Sequence, residues 1–460
     1  MLQSAMILLP AMLWLVPPPS GLSIEAWRLF AIFAAAILSG IVNAFPILTA
    51  SAFAIAAAVL TNLLPPELAY AGFANGTILL IVLAFLVARA VVICGLGARI
   101  GHLMVSVFGG SALGLAYSIF LVDGIIAPAF PSNTARSGVL FPMAFSLADA
   151  VGATPGNDSR RRLGRFLMMS GAVSLSLSSA LWLTAMAANP IGAEIARASG
   201  VEIGFASWLL AACVPTLTAM VLMPPFLSWL IGPEMKATPE APAAARRALA
   251  ALGPPTRGEK IVLATFVGMV VLWGSAATFD LDSTAIAFLG LAILMTTGVL
   301  TPGDIAKEGD VLATFIWFAV LFTLSGQLNE LGFMGYLGQR LASSLTGLSA
   351  LPAAVVLIVA YVLLHYMFVS QTAHMLALFG VFLDVGIKLG VPPTPFAFQL
   401  LFATNYFSVI TPQGSSANLL FVGSGLLSER EMYRLGGLAT AVSLCLYVVI
   451  GTPWLLLVAR

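Results

Sequence analysis

Long runs of apolar residues recur along this chain from end to end, separated by short polar segments. A helix that crosses a bilayer needs about 20 predominantly apolar residues, and about eleven runs reach or approach that length. The composition agrees, because 60% of the residues are hydrophobic and only 8% are charged, against about 25% charged in soluble domains. The sequence therefore predicts an all-α polytopic membrane protein, with spans near residues 2–16, 25–44, 46–63, 76–96, 166–186, 205–231, 260–278, 284–300, 312–328, 396–424 and 436–458.

The charge and cysteine content exclude several classes of function. The net charge is +1 and there is no long basic tract, so the concentrated field of Lys and Arg that nucleic-acid binding needs is missing. Cys94, Cys213 and Cys445 each lie in an apolar run without a close-spaced second Cys or His, which predicts neither a disulfide framework nor a metal site. We expect no nucleic-acid partner and no cofactor.

Two further apolar blocks, 111–148 and 350–388, carry a polar cluster in the middle: PSNTARSG begins at Pro131 and VSQTAHML begins at Val369. Each block is too short for two full spans of about 20 residues and a turn. Non-helical backbone at membrane depth is tolerated only where protein or a water-filled cavity surrounds it. The sequence therefore predicts two re-entrant helical hairpins whose tips meet inside the membrane.

The residues at these tips favour a helix break followed by a new helix. Pro131 disfavours helix in the residue before it, and Ser132 or Thr134 can cap the second arm of the first hairpin. Ser370 and Thr372 can cap the second hairpin in the same way. Capping alone would explain one such polar cluster, but it does not readily explain two.

The two halves of the chain repeat the same order of segments. GLGARIG (95–101) and LGFMGYLG (331–338) precede the hairpins, and LTAMAANP (183–190) and VITPQGSSAN (409–418) interrupt the span that follows each hairpin. Repeated, interrupted segments in corresponding places indicate a transporter binding site near the membrane midplane. We predict an N-terminal half repeat 1–231 with a broken helix 166–190, a linker 232–260, and a C-terminal half repeat 261–460 with a broken helix 396–424.

The distribution of Lys and Arg predicts the orientation in the membrane. The segment NDSRRRLGR (157–165) and the linker 232–260 both carry clustered basic residues, which places both in the cytoplasm by the positive-inside rule. The N-terminus is then cytoplasmic, the first hairpin enters from the cytoplasm and the second enters from the opposite face, so the halves are inverted repeats. The acidic loop 301–311 is discordant, but acidic residues contribute little to this rule.

The polar residues of the two tips have the chemistry of an anion site. Hydroxyl and amide groups provide hydrogen-bond donors, and the start of each second arm points the positive end of a helix dipole at the centre. The broken spans add further hydroxyls and free backbone N–H groups, which suits a ligand with two carboxylates, one for each half. The predicted substrate-binding residues are Ser132, Asn133, Thr134, Thr184, Ser370, Gln371, Thr372 and Thr411.

Arg136 and His374 follow the two tip motifs at equivalent positions. A charged residue at membrane depth is costly, so it is rarely without a role. One interpretation is that both residues place a positive charge beside the anion site. The alternatives are that Arg136 pairs with Asp123 or Asp149, and that His374 is a hydrogen-bonded core histidine.

The motifs resemble those of a known family of membrane transporters. The stretches are APAFPSNTARSGVLFP (127–142), HYMFVSQTAHMLALFGVFL (365–383), LTAMAANP and FVGSGLLS (421–428). They resemble the divalent anion:sodium symporter (DASS) superfamily, and more specifically its dicarboxylate and citrate exchanger branch, which includes plastid 2-oxoglutarate/malate translocators. The resemblance spans nearly the whole chain. It implies a homodimeric elevator transporter in the bacterial inner (cytoplasmic) membrane, with a scaffold domain and a transport domain that contains both hairpins and both broken helices.

The resemblance also implies roles for individual residues. In symporters of the family the motif Ser and Asn residues bind sodium, and Asn and Thr contact substrate carboxylates. Carried over, this places any sodium near Ser132, Asn133 and Ser370. Thr411 is similar to the family's substrate-contacting Thr in the second broken helix, and Thr184 is our choice for its counterpart in the first.

Three residues depart from the symporter pattern. Gln371 stands where the second motif of the symporters has Asn. Arg136 and His374 add positively charged side chains, from which a sodium-coupled protein would gain little. Our hypothesis is that these two charges take the electrostatic place of sodium. The chain would then be an obligate exchanger of small di- or tricarboxylate anions such as malate, 2-oxoglutarate or succinate.

Three other functions compete with this interpretation. A sodium-coupled dicarboxylate symporter is the main alternative within the transporters, and a channel is another membrane function. An intramembrane hydrolase would use Ser132 as nucleophile and His374 as base, but no G-x-S-x-G motif surrounds Ser132. We therefore expect a transporter and not an enzyme.

Overall fold

The computed structural model describes residues 2–42, 44–155, 158–161, 163–345 and 347–459, and within these ranges it contains helices and no strand. The prediction of an all-α membrane protein is confirmed. The α-helices are α1 (Leu2–Leu15), α2 (Ile24–Ile41), α3 (Ile47–Leu60), α4 (Pro66–Ala69), α5 (Gly76–Cys94), α6 (Leu96–Phe108), α7 (Ala112–Ile126), α8 (Asn133–Asp149), α9 (Gly164–Leu181), α10 (Ala188–Arg197), α11 (Phe205–Ile231), α12 (Glu240–Leu252), α13 (Arg257–Phe279), α14 (Ser283–Thr296), α15 (Pro302–Ala306), α16 (Gly309–Glu330), α17 (Phe333–Ser344), α18 (Ala350–Leu364), α19 (Gln371–Lys388), α20 (Pro393–Tyr406), α21 (Ser416–Gly423), α22 (Glu429–Leu446) and α23 (Thr452–Val458).

Eight helical segments in the described ranges are long and apolar enough to cross a membrane. They start at Ile24, Gly76, Ala112, Phe205, Arg257, Gly309, Ala350 and Glu429. Helices α3, α6 and α14 are apolar but shorter, so the predicted number of spans stays a prediction. In the basic loop 157–165, Asn157 and Arg162 lie outside the described residues.

Both predicted hairpin regions contain two helices joined by a short irregular tip. Helix α7 ends in a 3₁₀ turn, Ala127–Ala129, and α8 begins after the capping residue Ser132. Helix α18 ends in the corresponding turn, His365–Met367, and α19 begins after Ser370. The backbone angles agree closely, with φ −145° and ψ 126° at Ser132 and φ −147° and ψ 128° at Ser370. Each serine hydroxyl accepts a hydrogen bond of 3.3 Å from the third backbone N–H of its helix, as a capping serine does.

The span after the first hairpin is interrupted between α9 and α10. A 3₁₀ turn, Leu183–Ala185, separates the two helices. The side-chain amide of Asn189 in α10 closes this break, because its Nδ2 donates to the carbonyl oxygens of Ser179 (2.8 Å) and Trp182 (3.2 Å).

The second half repeats this break between α20 and α21. Here the 3₁₀ turn is Pro412–Gly414, and Nδ2 of Asn418 donates to the carbonyl oxygens of Ser408 (2.7 Å) and Thr411 (3.0 Å). In both halves the acceptors precede the asparagine by ten and seven residues. The halves therefore repeat in hydrogen bonding as well as in sequence.

Glycine at the start of α6 and α17 is a further repeated element. Gly95 has φ +78° and Gly332 has φ +79°, a left-handed conformation that residues with a Cβ adopt at a cost. This explains why the segments GLGARIG and LGFMGYLG resemble each other: each changes the direction of the chain before a hairpin.

The hairpins and the breaks surround two buried central helices. Helix α9 is buried at every residue from Phe166 to Leu181, and α20 is buried from Phe396 to Tyr406. Helices α7 and α8 pack against α9, α18 and α19 pack against α20, and α9 and α20 pack against each other. This packing brings the two hairpin tips to the same place.

Candidate anion-binding site

The two hairpin tips line one cavity of about 260 Å³. All six residues of the Ser-Asn-Thr and Ser-Gln-Thr motifs contribute to its wall, and so do Met186, Ala187, Ser415 and Ser416 from the two helix breaks. The opposite wall consists of Phe85 in α5 and Thr314, Trp317 and Phe318 in α16. Six of the eight predicted substrate-binding residues therefore lie together: Ser132, Asn133, Thr134, Ser370, Gln371 and Thr372.

Among the helices that the structure describes, four begin at this cavity: α8, α10, α19 and α21. The first N–H groups of a helix have no partner inside the helix, and the helix dipole places about half a positive charge at each N-terminus. Among the described residues that line the cavity, none carries a charged side chain. The groups that this cavity offers an anion are therefore oriented backbone dipoles, hydroxyls and amides.

A hydrogen bond joins the two tips directly. Nδ2 of Asn133 donates to Oε1 of Gln371 over 3.0 Å. Nε2 of Gln371 in turn donates to the carbonyl oxygens of Thr404 (2.8 Å) and Asn405 (3.3 Å) in α20. The extra methylene of glutamine, compared with asparagine, lets one side chain reach both the opposite tip and α20.

Arg136 is completely buried behind the first tip and does not line the cavity. Its Nη2 donates to Oδ1 of Asn133 (2.6 Å), to Oγ of Ser179 (2.5 Å) and to the carbonyl oxygen of Leu175 (3.2 Å). Its Nε lies 3.5 Å from Oδ1 of Asp123. The sequence left Asp123 and Asp149 as possible partners of Arg136, and in the structure the partner is Asp123.

Asp123 is also completely buried. Its Oδ2 accepts hydrogen bonds from the hydroxyls of Ser174 (2.8 Å) and Ser178 (2.5 Å) in α9. A buried ion pair needs such additional hydrogen bonds to offset desolvation. The pair is electrically balanced, so Arg136 orients Asn133 without adding net charge to the site.

His374 is buried among neutral groups. Its Nδ1 lies 3.4 Å from Nδ1 of His365, and Nε2 of His365 lies 2.9 Å from the carbonyl oxygen of Gly414. Since a carbonyl only accepts, Nε2 of His365 is the donor to Gly414, and in a neutral His365 the other nitrogen, Nδ1, then accepts from Nδ1–H of His374. Rings of Tyr361, Phe368 and Phe407 lie around His374.

The two repeats thus have different side-chain contacts at equivalent positions. Asp123 and Tyr361 precede their capping serines by the same number of residues, as Arg136 and His374 follow them. The first repeat has an ion pair there, and the second has a Tyr–His contact with ring centroids 4.4 Å apart. The expectation of a shared positive charge needs revision, because Asp123 balances Arg136 and the surroundings of His374 are neutral.

Thr184 and Thr411 do not line the cavity. The hydroxyl of Thr184 donates to the carbonyl oxygen of Pro128 (3.0 Å), and it thereby ties the first helix break to the first hairpin. Thr411 is completely buried, just before the 3₁₀ turn of the second break. By the matching asparagine contacts, the counterpart of Thr411 is Trp182, so Thr184 and Thr411 are not an equivalent pair.

Comparison with known proteins identifies the family. The sequence profile described as "Sodium:sulfate symporter transmembrane region" matches residues 1–459. The chain belongs to this family, the DASS family. It is 39% identical over 462 residues to the "Putative malate transporter YflS" of Bacillus subtilis, with 98% of this chain and 97% of the relative covered. It is 36% identical over 444 residues to "Dicarboxylate transporter 2, chloroplastic" of Spinacia oleracea, with 95% and 79% covered.

Solved structures of other transporters share the fold. The Alcanivorax borkumensis YdaH transporter has a TM-score of 0.59 at 14% identity, with 85% of this chain and 87% of that chain covered. Neisseria gonorrhoeae MtrF has a TM-score of 0.61 at 12% identity, with 99% and 97% covered. The predictions of a DASS-family chain and of a transporter instead of an enzyme are confirmed by the family match.

Several residues around the site of this DASS-family chain were not predicted as site residues. They are Ser179, His365, Phe85 and the α16 residues Thr314, Trp317 and Phe318. The serines of α9, at 170, 174, 176, 178 and 179, were an available signal, because so many hydroxyls in a buried helix indicate polar partners packed against it. The α16 residues gave no such signal, since they lie in an ordinary apolar run.

Proposed function

We propose that the chain is a secondary transporter of small dicarboxylate anions, and that it works as an obligate exchanger. The observation that carries this proposal is the convergence of four helix N-termini on one uncharged cavity. At about half a positive charge each, four N-termini match the charge of a dianion. The names of the malate and dicarboxylate transporters to which the chain is similar support the same substrate class.

The shape of the cavity favours a small ligand with two anionic ends. Its volume of about 260 Å³ is below the range of about 300–1,000 Å³ typical of sites for drug-sized ligands. Polar groups of the two tips face it from the two repeats. One carboxylate would bind at Ser132, Asn133 and Thr134, and the other at Ser370, Gln371 and Thr372. Malate, succinate and 2-oxoglutarate all satisfy this requirement.

The position of Arg136 supports exchange without sodium. Oδ1 of Asn133, Oγ of Ser179 and the carbonyl oxygen of Leu175 are the kind of oxygen ligands that a hard cation takes, and Nη2 of Arg136 occupies them. A covalently attached guanidinium cannot dissociate. The site would then have a permanent cation, balanced by Asp123, in place of an exchangeable sodium ion.

The walls of the cavity support an elevator mechanism. The tips and the helix breaks lie in two runs of helices, α7 to α10 and α18 to α21, whereas the opposite wall of the cavity belongs to α5 and α16. We propose that the first group moves as a transport domain past a scaffold that holds a homodimer in the inner membrane. In the proposed topology the N-terminus is cytoplasmic and the hairpins are re-entrant.

Flux measurements in proteoliposomes test the proposed function. Vesicles with purified protein are loaded with malate, succinate or buffer, and uptake of labelled malate is followed with sodium or with potassium outside. We expect rapid uptake only into vesicles loaded with dicarboxylate, at equal rates with either cation. Uptake into empty vesicles driven by a sodium gradient would show a symporter instead, and conductance without saturation would show a channel.

A further inference from the structure

A second cavity of about 810 Å³ lies along helix α8, away from the anion site. The first turn of α8 lines the anion site, and residues of the later turns, between Gly138 and Leu147, form one wall of this second cavity. Helix α6 and the linker helix α12 form the other walls. The walls are mainly apolar, with a few polar groups, so the cavity suits an apolar or amphipathic ligand.

The sequence of α12 explains why no side chain fills this space. Its inward residues are Ala241, Ala244, Ala245 and Ala248, and none of them extends beyond Cβ. Protein interiors are otherwise close-packed. The apolar part of the cavity, along these alanines, offers water few polar partners. An apolar occupant from outside the chain is therefore the favourable filling.

One edge of the cavity is closed by tight packing of α6 on α8. A Cβ at Gly97 would lie 3.0 Å from Cγ1 of Val139, and a Cβ at Gly101 would lie 2.9 Å from Sδ of Met143. The two glycines thus hold α6 close to the hairpin. The cavity extends from this contact towards α12.

The open side of the cavity is continuous with apolar surface. Val92 lines the cavity and is 46% exposed. Its neighbour Ile93 and the α6 residues Leu103 and Val107 are exposed as well. In a membrane transporter such a surface contacts lipid tails, so the occupant is available in the bilayer itself.

Polar groups at the cavity suit the head of an amphipathic lipid. His102, Ser146, Thr238 and Glu240 line it among the apolar residues. The hydrogen-bond donors suit the phosphate of a headgroup, and the carboxylate of Glu240 suits its cationic group. A zwitterionic headgroup therefore matches these residues more closely than a purely anionic one.

We propose that this cavity binds one acyl chain of a bilayer phospholipid with a zwitterionic headgroup, with the headgroup at His102 and Glu240. The bound lipid packs the linker against the first hairpin. The linker is already tied there, since the backbone N–H of Ala112 donates to the carbonyl oxygen of Lys236 (2.9 Å) and Oγ1 of Thr238 donates to that of Gly109 (2.7 Å).

The test uses a photoreactive phosphatidylcholine with a diazirine in the acyl chain. The full-length protein is reconstituted into vesicles of phosphatidylethanolamine with a minority of phosphatidylglycerol and a trace of the probe, irradiated, and mapped by peptide mass spectrometry. We expect labels at Val105, Leu115 and Ala245, which line the cavity and are buried from the outer surface. Labels confined to outward-facing residues such as Val107 would overturn the proposal.

A matched pair of variants on α12 gives the control. Ala245→Trp fills the cavity, whereas Ala250→Trp adds the same side chain at an exposed residue outside it. We expect Ala245→Trp to lose the labels at Val105 and Leu115 and Ala250→Trp to keep them. If Ala245→Trp does not yield monodisperse protein, Ala248→Leu takes its place as a smaller filling. Unchanged labelling in the filled variant would show that no acyl chain enters.

Discussion

Nδ2 of Asn133 donates a hydrogen bond of 3.0 Å to Oε1 of Gln371, and the two residues occupy the same position in the two hairpins. The amide of Asn133 has a defined orientation, because its Oδ1 accepts from Arg136 and Ser179. Asp123 forms an ion pair with Arg136, and a chain of hydrogen bonds then runs from Arg136 through Asn133 and Gln371 to α20. It makes the two tips one site.

Gln371→Asn should weaken dicarboxylate binding by about tenfold, because the loss of one or two hydrogen bonds is worth roughly 1.4 kcal/mol. Asparagine is too short to reach both Asn133 and the carbonyl oxygen of Thr404. The apparent affinity is measured from malate-dependent thermal stabilisation and from the KM of exchange. Gln339→Asn, at an exposed position of α17, is the matched control and should change neither value. Wild-type affinity in Gln371→Asn would contradict the role of the longer side chain.

Asp123→Asn should destabilise the protein by about 3–5 kcal/mol, because it leaves the guanidinium of Arg136 buried without a counter-charge. The thermal unfolding temperature of the detergent-solubilised protein is the measurement. The double variant Asp123→Asn/Arg136→Met should recover much of the loss, since the second repeat has neutral residues at both positions. Asp158→Asn removes an exposed partner of Arg161 and should have no measurable effect. Equal losses in the single and the double variant would argue against the pair as an electrostatic unit.

His365→Ala should raise the KM of exchange by about tenfold, because it removes the hydrogen bond that ties the second hairpin to Gly414. His365→Gln keeps an N–H donor and should restore part of the affinity. If His365 only filled space, the Gln variant would show no such recovery. Tyr366→Ala is the control, because Tyr366 lies in the same 3₁₀ turn and is exposed. Equal KM values for the Ala and Gln variants would show that the hydrogen bond does not position the site.

Gly414→Ala should impair binding more than Gly423→Ala. A Cβ at Gly414 would lie 2.6 Å from the carbonyl oxygen of Ser408 and 3.0 Å from Nε2 of His365, whereas a Cβ at Gly423 meets nothing within 4 Å. The start of α21 must therefore shift in the first variant. Malate-dependent thermal stabilisation, compared between the two variants, checks this expectation. Equal stabilisation would show that the 3₁₀ turn has room to relax.

Features of local origin could be predicted from the sequence. The apolar runs predicted helices, and the polar residues after Phe130 and Phe368 predicted the tips, because a broken helix needs caps and the sequence supplies serine at both places. The grouping of six motif residues followed from the repeat. The prediction that Thr184 is the counterpart of Thr411 was wrong in register. The two breaks align through the asparagines that close them, because Asn189 and Asn418 each donate to the carbonyl oxygen ten residues earlier.

Features that depend on tertiary contact could not be predicted. Arg136 had two acidic candidates in the sequence, and only the packing of α7 on α9 shows that Asp123 is the partner, with serines of α9 around it. The neutral surroundings of His374 depend on Tyr361 and His365 from the first arm of the second hairpin and on Phe407, which follows α20. Trp317 and Phe318 reach the cavity only because α16 packs beside α5.

Arg136→Met alone should make the stability of the protein depend on sodium. The variant frees three oxygens, from Asn133, Leu175 and Ser179, and leaves the carboxylate of Asp123 without its counter-charge. A small hard cation takes oxygen ligands, and a ligand that binds only the folded state raises the unfolding temperature. We expect sodium to raise the unfolding temperature of Arg136→Met and to leave the wild type unchanged. The double variant Asp123→Asn/Arg136→Met lacks the negative charge and should respond less than Arg136→Met, with choline as the control cation. A sodium response in the wild-type protein would mean that Arg136 does not take the place of the ion.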